Sequence, residues 1–276
     1  MITKPNDLSN LRLAVLIDAD NAPRNCIRGV MEELAIYGTP TIKRIYGDWT
    51  GPHVSGWKSQ LLEHAITPIQ QYSYTTGKNS TDSAMIIDAM DILYAEKTDG
   101  FAIVSSDSDF TRLATRLREA GQKVIGIGER KTPMPFIVAC DKFVYIEVIR
   151  DHHRLAQQAA DAIAGTLRSK SDTKKATSDT AITAKTAKRT ERQQLPDKII
   201  QFLADSIADI ADDDGFAFLG ELGNLLLKKQ PDFDPRNFGF NKLTPLIKSI
   251  PRFEIDVRQT RDANIKHMYV RDTENS

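Results

Sequence analysis

Carboxylates recur in this sequence directly after apolar runs. Asp18 and Asp20 follow Leu13-Ala14-Val15-Leu16-Ile17, with Asn21 next. Asp107 and Asp109 follow Phe101-Ala102-Ile103-Val104 through Ser105-Ser106, and Asp82 opens a helical run after Gly77-Lys78-Asn79-Ser80-Thr81. Carboxylates brought together repel one another and hold their protons more tightly. A divalent cation relieves that repulsion. Mg²⁺ and Mn²⁺ favour oxygen ligands, and Mg²⁺ readily keeps waters and phosphate oxygens in its shell. The chemistry that suits such a site is attack of water on a phosphodiester. Simpler roles exist for individual acids. Asp20 or Asn21 suits a helix cap before Pro23, Asp109 suits a cap for a helix from Phe110, and Asp82 complements a helix dipole. Asp88 and Asp91, further along that helix, read as solvated positions. Asp18 and Asp107 each close a strongly apolar strand, where open α/β sheets place their sites.

The elements that must position these acids alternate along residues 11–147. Strand-like runs cover residues 13–17, 41–46, 66–72, 101–104, 123–127 and 143–146. Helical runs lie near residues 23–37, 54–64, 81–95 and 110–120, with a short one after Pro133. Pro23 suits a first helical turn and Gly121 a helix exit. This rhythm predicts an α/β fold with a mostly parallel sheet and helices on both faces. The acids converge if the first and fourth strands are neighbours.

The whole chain has 276 residues with 37 basic and 37 acidic side chains, and the charge divides by region. Residues 1–150 carry 17 basic and 18 acidic groups, residues 151–195 carry 9 and 5, and residues 196–276 carry 11 and 14. The middle stretch lacks Phe, Tyr, Trp, Val and Met, so it reads as a helical tail near residues 154–167 and a flexible, mildly basic linker over 169–194. Residues 196–276 predict three helices and a hairpin, the pattern of a winged helix-turn-helix. Two cysteines, Cys26 and Cys140, are too few for a disulfide scaffold or a Cys-based zinc site. No apolar run approaches the roughly 18 residues a membrane helix needs. Without a signal-peptide pattern at the start, the expectation is a cytoplasmic protein away from any membrane.

Leu16-Ile17-Asp18-Ala19-Asp20-Asn21, Thr81-Asp82 with Asp88, and Val104-Ser105-Ser106-Asp107-Ser108-Asp109-Phe110 resemble, in order, the motifs of the NYN domain. That family belongs to the PIN-like metal-dependent ribonucleases, and the resemblance is to its LabA-like branch. It implies a PIN-like sheet over about residues 11–147 and a Mg²⁺- or Mn²⁺-dependent endoribonuclease site. On this resemblance Asp18 and Asp107 hold a cation, Asp82 and Asp109 complete it, and Asn21 orients a ligand or the scissile phosphate. Asp20 and Asp88 are supporting positions, and Ser106 stands where the family often has glycine. Lys78, Lys58 and Arg112 are candidates to neutralise RNA phosphates, although exposed helix charge explains the last two as well. Trp49, Tyr72 and Tyr74 could stack on unpaired bases, whereas Trp57 suits the core.

Asp214-Gly215-Phe216-Ala217-Phe218-Leu219, Phe238-Gly239-Phe240-Asn241-Lys242-Leu243 and the hairpin ending Tyr269-Val270 resemble an OST-HTH/LOTUS domain. The resemblance implies RNA binding, or docking of a protein partner. Arg236, Lys242, Lys248, Arg252, Arg258, Arg261 and Lys266 would then face a nucleic-acid backbone. Two rival readings of the chain remain at this stage. Asp18-Ala19-Asp20 after a strand also resembles the opening of haloacid-dehalogenase phosphatases, where the first Asp is a nucleophile. A non-catalytic RNA-binding regulator would keep the acids without turnover.

Overall fold

Alternation along the first strand sets up both faces of the sheet. In β1 (Leu11–Asp18), Leu13, Val15 and Ile17 enter one apolar cluster while Ala14 and Leu16 enter another. Successive strand residues point to opposite faces, so a continuous apolar run means that both faces are covered. The structure is a computed structural model, and it describes residues 11–51, 56–72, 80–169, 195–259 and 266–274. Lys78, Arg261, Tyr74 and residues 170–194 of the expected linker lie outside the described residues.

The other strands of the first domain are β2 (Gly38–Gly47), β3 (Thr67–Gln70), β4 (Gly100–Val104), β5 (Lys123–Gly128) and β6 (Lys142–Tyr145). Among the described residues they form one parallel sheet in the order β3-β2-β1-β4-β5-β6. On one face lie α1 (Ile27–Tyr37), α2 (Lys58–His64) and the start of α6 (Ile146–Ser169), through Ile27, Val30, Leu34, Leu61, Ile146 and Ile149. On the other lie α3 (Ser80–Tyr94), α4 (Thr111–Glu119) and α5 (Met134–Ala139), through Met85, Leu113, Leu117 and Phe136. This is the PIN-like arrangement expected. The tail helix differs from expectation, because α6 starts at Ile146 directly after β6. Ile146, Val148 and Ile149 are buried and hold its first turns to the sheet.

The second domain comprises α7 (Asp197–Ala208), β7 (Phe216–Phe218), α8 (Leu219–Lys229), α9 (Leu243–Lys248), β8 (Phe253–Gln259) and β9 (Lys266–Asp272). Its sheet is antiparallel in the order β7-β9-β8. Two details depart from the sequence reading. Residues 216–218 form a strand too short to show alternation. The third helical run, expected near residues 235–250, is also interrupted, with a 3-10 turn at Pro235–Phe238 and α9 beginning only at Leu243. Gly239, at φ 82°, reverses the chain between them, a conformation that costs glycine little. Lys242 therefore caps α9 rather than lying within it.

Candidate functional site

The expected neighbours meet: Ile17 of β1 is in register with Val104 of β4. The sheet's connections reverse direction here, so the loops after these strands diverge and leave a crevice. Asp18 is 1 % exposed, and its carboxylate organises the loop after β1. Oδ1 accepts the amide N–H groups of Asp20 at 3.0 Å and Asn21 at 3.3 Å. Oδ2 accepts Nδ2 of Asn21 and the Ser105 hydroxyl, each at 2.8 Å. A carboxylate folding back onto the following amides is a local turn device. Asp20 itself is exposed, and the 3-10 turn Arg24–Cys26 carries Pro23 at its N-cap with no side-chain cap.

Asp107 is set by the same logic after β4. Its Oδ1 accepts the Asp109 N–H at 3.0 Å and caps the turn Ser108–Phe110, so the cap is Asp107 rather than Asp109. Its own N–H donates to Ser105 Oγ at 3.1 Å. The Ser105 hydroxyl thus accepts from the Asp107 loop and donates to Asp18. The sequence reading gave Ser105 no role in this site; its only signal was its place at the end of a buried strand. Ser106 Oγ accepts the Glu129 N–H at 2.9 Å and ties the ends of β4 and β5 together. Ser106 has no positive φ, so its turn does not require glycine.

Asp82, in the first turn of α3, faces this loop. Asp82, Asp107 and Asp109 each offer a carboxylate oxygen, all within 4.8 Å of one another. Asp18 is not among these three, although its charge reaches Asp82. The Asp82 carboxyl is pushed up to about 6, first by burial and then by Asp18, Asp107, Asp109 and Asp20. Burial also raises Asp18, against the hydrogen bonds from Asn21, Ser105 and the Asp20 amide. The donor set fits Mg²⁺ or Mn²⁺: its oxygens are hard, no sulfur or imidazole belongs to it, and the acids repel without a cation.

Asp88 is not solvated. Its carboxylate accepts Arg44 and the Tyr46 hydroxyl, both from β2, and fastens α3 to the sheet. Lys58 lines an apolar depression with Trp49, Leu61 and Pro68, while Arg112 is exposed in the first turn of α4. Arg24, which the sequence reading did not select, lines a depression with Asp20, Asn25, Trp57 and Gln60. Trp57 is core at 2 % exposure, and Trp49 donates Nε1–H to the Ile69 carbonyl at 2.9 Å. Tyr72 is exposed.

In the second domain several of the expected phosphate contacts have other partners. Arg252 forks onto Asp272 at 2.8 and 2.7 Å. Arg258 donates to Asp256 at 2.9 Å and lies over the rings of Phe216 and Tyr269, 4.7 and 4.4 Å from their centroids. Arg236 forks onto Glu33 of α1. Lys242, Lys248 and Lys266 are exposed. Among the described residues, no helix is long and apolar enough to cross a membrane.

The uncharacterized protein MJ0482 of Methanocaldococcus jannaschii is 28 % identical over 121 residues, which are 42 % of this chain and 47 % of that protein. The chain thus spans about half the length of this curated relative. A crystal structure of the protein of unknown function VPA0982 from Vibrio parahaemolyticus matches at 20 % identity and TM-score 0.44, covering 52 % of this chain and 96 % of that one. A solution structure of the uncharacterized protein from locus NE0665 of Nitrosomonas europaea matches at 34 % identity and TM-score 0.27, covering 36 % and 92 %. Residues 12–147 match the NYN domain and residues 191–264 match the OST-HTH/LOTUS domain. The chain thus carries an NYN domain followed by an OST-HTH/LOTUS domain.

Proposed function

We propose that this protein is a metal-dependent endoribonuclease of the LabA-like branch, and that its LOTUS domain binds RNA. The reading rests most on one observation: carboxylates from α3 and from the loop after β4 come within 4.8 Å of one another at the switch point of a PIN-like sheet. Asp82, Asp107 and Asp109 would hold Mg²⁺ or Mn²⁺. Bound there, the ion would neutralise charge on a phosphodiester and make water a stronger nucleophile. Asp18 backs the loops and adds negative charge, and Asn21 orients Asp18 through its amide. Ser105 keeps the two loops in register. Lys78, Lys58, Arg112 and Arg24 are the cations to draw RNA phosphates toward the acids. Asp18 is enclosed at 1 % exposure with both oxygens hydrogen-bonded, which argues against a nucleophilic phosphatase aspartate. A reducing cytoplasmic setting accords with Cys26 and Cys140, both unpaired and buried.

The test incubates full-length protein with mixed end-labelled RNAs in Mn²⁺ or in EDTA, beside a small phosphomonoester. Cleavage of RNA that EDTA abolishes is the expected result. Tight RNA binding without cleavage would identify a regulator, and turnover of the phosphomonoester alone would identify a phosphatase.

A further inference from the structure

The segment Pro231-Asp232-Phe233-Asp234-Pro235-Arg236 lies in the second domain, yet Pro231, Asp232, Phe233 and Arg236 each hydrogen-bond to the first. The Phe143 N–H, on strand β6 at the sheet's edge, donates to the Pro231 carbonyl at 2.9 Å. The Tyr145 hydroxyl donates to Asp232 Oδ2 at 2.6 Å. Lys142 Nζ donates to the Phe233 carbonyl at 3.0 Å and stands 3.8 Å from Asp234. Arg236 donates through both terminal nitrogens to Glu33, each at 2.7 Å, and through Nε and Nη2 to Asp234. Tyr37 adds a hydroxyl donor to Glu33 at 3.1 Å.

These groups are enclosed. Side-chain exposure is 6 % for Glu33, 10 % for Asp234, 12 % for Lys142 and 17 % for Arg236. The four charges sum to zero, and each domain supplies one acid and one base. A buried charge is tolerated when it is paired and hydrogen-bonded, and losing one partner leaves the other uncompensated. The planar fork of arginine matches two carboxylates at once and fixes direction as well as distance. The edge strand, which would otherwise present unpaired N–H groups, gives one of them to the segment.

We propose that residues 231–236 are a clip that fixes the LOTUS domain on the β6 edge of the NYN sheet, with Glu33 and Lys142 as its receiving charges. The spacing between the RNA-binding surface and the carboxylate centre is then set by the docked geometry, not by the length of residues 170–194. Cleavage would fall at a fixed distance from the RNA segment that the LOTUS domain grips. That last consequence rests on the proposed endoribonuclease function; the clip itself does not.

Two measurements on the full chain separate these levels. The first is amide hydrogen exchange at Phe143, which needs neither RNA nor metal. A closed clip slows it by about 100-fold or more relative to an unbonded amide, because exchange must wait for undocking. Glu33→Gln and Arg236→Gln should each speed it by about tenfold while the core amides of Val15 and Ile103 stay protected. Unslowed exchange at Phe143 in the wild type overturns the clip, as does a rate that neither variant changes. The second inserts Gly-Ser repeats at residue 180 and maps cuts on end-labelled RNA. An unchanged cleavage ladder supports fixed spacing, and a ladder that shifts or broadens with insert length overturns it. Slowed exchange with no cutting at all would uphold the clip and reject the nuclease reading.

Discussion

Asp82, Asp107 and Asp109 stand close enough that their mutual repulsion is a folding cost until a cation joins them. Asp82→Asn and Asp107→Asn should therefore abolish RNA cleavage and leave the protein folded. In EDTA the Asp82→Asn protein should be more stable than wild type by about 1–3 kcal/mol, since a carboxyl pushed up to about 6 loses free energy on ionising at neutral pH. Adding Mn²⁺ should then raise the melting temperature of the wild type and leave the variant unmoved. Equal responses to Mn²⁺ would remove these carboxylates from any metal site. Ser105 is a positioning residue by the same geometry, because its hydroxyl is shared between Asp18 and the Asp107 amide. Ser105→Ala should lower cleavage by about tenfold, the usual size of the loss when an outer-shell hydrogen bond is removed, and weaken Mn²⁺ binding to match. Ser105→Thr, which keeps the hydroxyl, should restore both. A loss of stability with unchanged Mn²⁺ affinity would make Ser105 structural only.

Arg252, just before β8, and Asp272, which ends β9, close the second domain as a buried pair. Arg252 holds the Asp272 carboxyl below the usual carboxylate range through its two N–H donors. A carboxyl depressed in the folded state binds fewer protons there than when unfolded. Its contribution is therefore present above the unfolded value, about 3.9, and is lost as pH falls through the lower folded value. Asp272→Asn should cost about 2 kcal/mol at pH 7. The gap from wild type should narrow below about pH 4. Urea unfolding followed at the Val270 amide checks this, and parallel pH profiles would refute it. The elements themselves were legible wherever periodicity was long. All six strands of the parallel sheet were expected in place, β1, β4 and β5 because buried parallel strands read as continuous apolar runs. The neighbouring carboxylates were legible too, since each directly follows or opens such an element. The break at Gly239 and the three-residue β7 were not, because a short strand shows no period and one glycine inside a helical run is tolerated in many helices. Asp88 looks solvated in the sequence because nothing local announces that Arg44 and Tyr46 lie across from it.

At the scale of the whole molecule, the sequence reads residues 169–194 as a flexible linker between two domains. The composition of residues 170–194 supports that expectation, but the pairing of Glu33 with Arg236 spans two hundred residues and leaves no trace in local composition. The same pairing removes Arg236 from the cations available to RNA, as Asp272 removes Arg252. Arg258 is half engaged, held by Asp256 and stacked on two rings. Lys242 and Lys248, exposed at the two ends of α9, are thus the better probes of an RNA surface. Contacts to phosphate carry no sequence information, so Lys242→Ala/Lys248→Ala should weaken binding of all RNAs alike. Each lost contact releases fewer counterions, so the log–log salt dependence should flatten by about 0.7 per lysine for single-stranded RNA. Arg258→Ala serves as the contrast. Losing its ring and carboxylate contacts should lower the stability of the domain more than it changes the salt slope. The measurement is RNA affinity of the wild type and both variants across a salt series. A double variant with wild-type affinity and slope would assign the LOTUS surface to a protein partner, and would leave the carboxylate centre of the NYN domain to be judged by its own response to Mn²⁺.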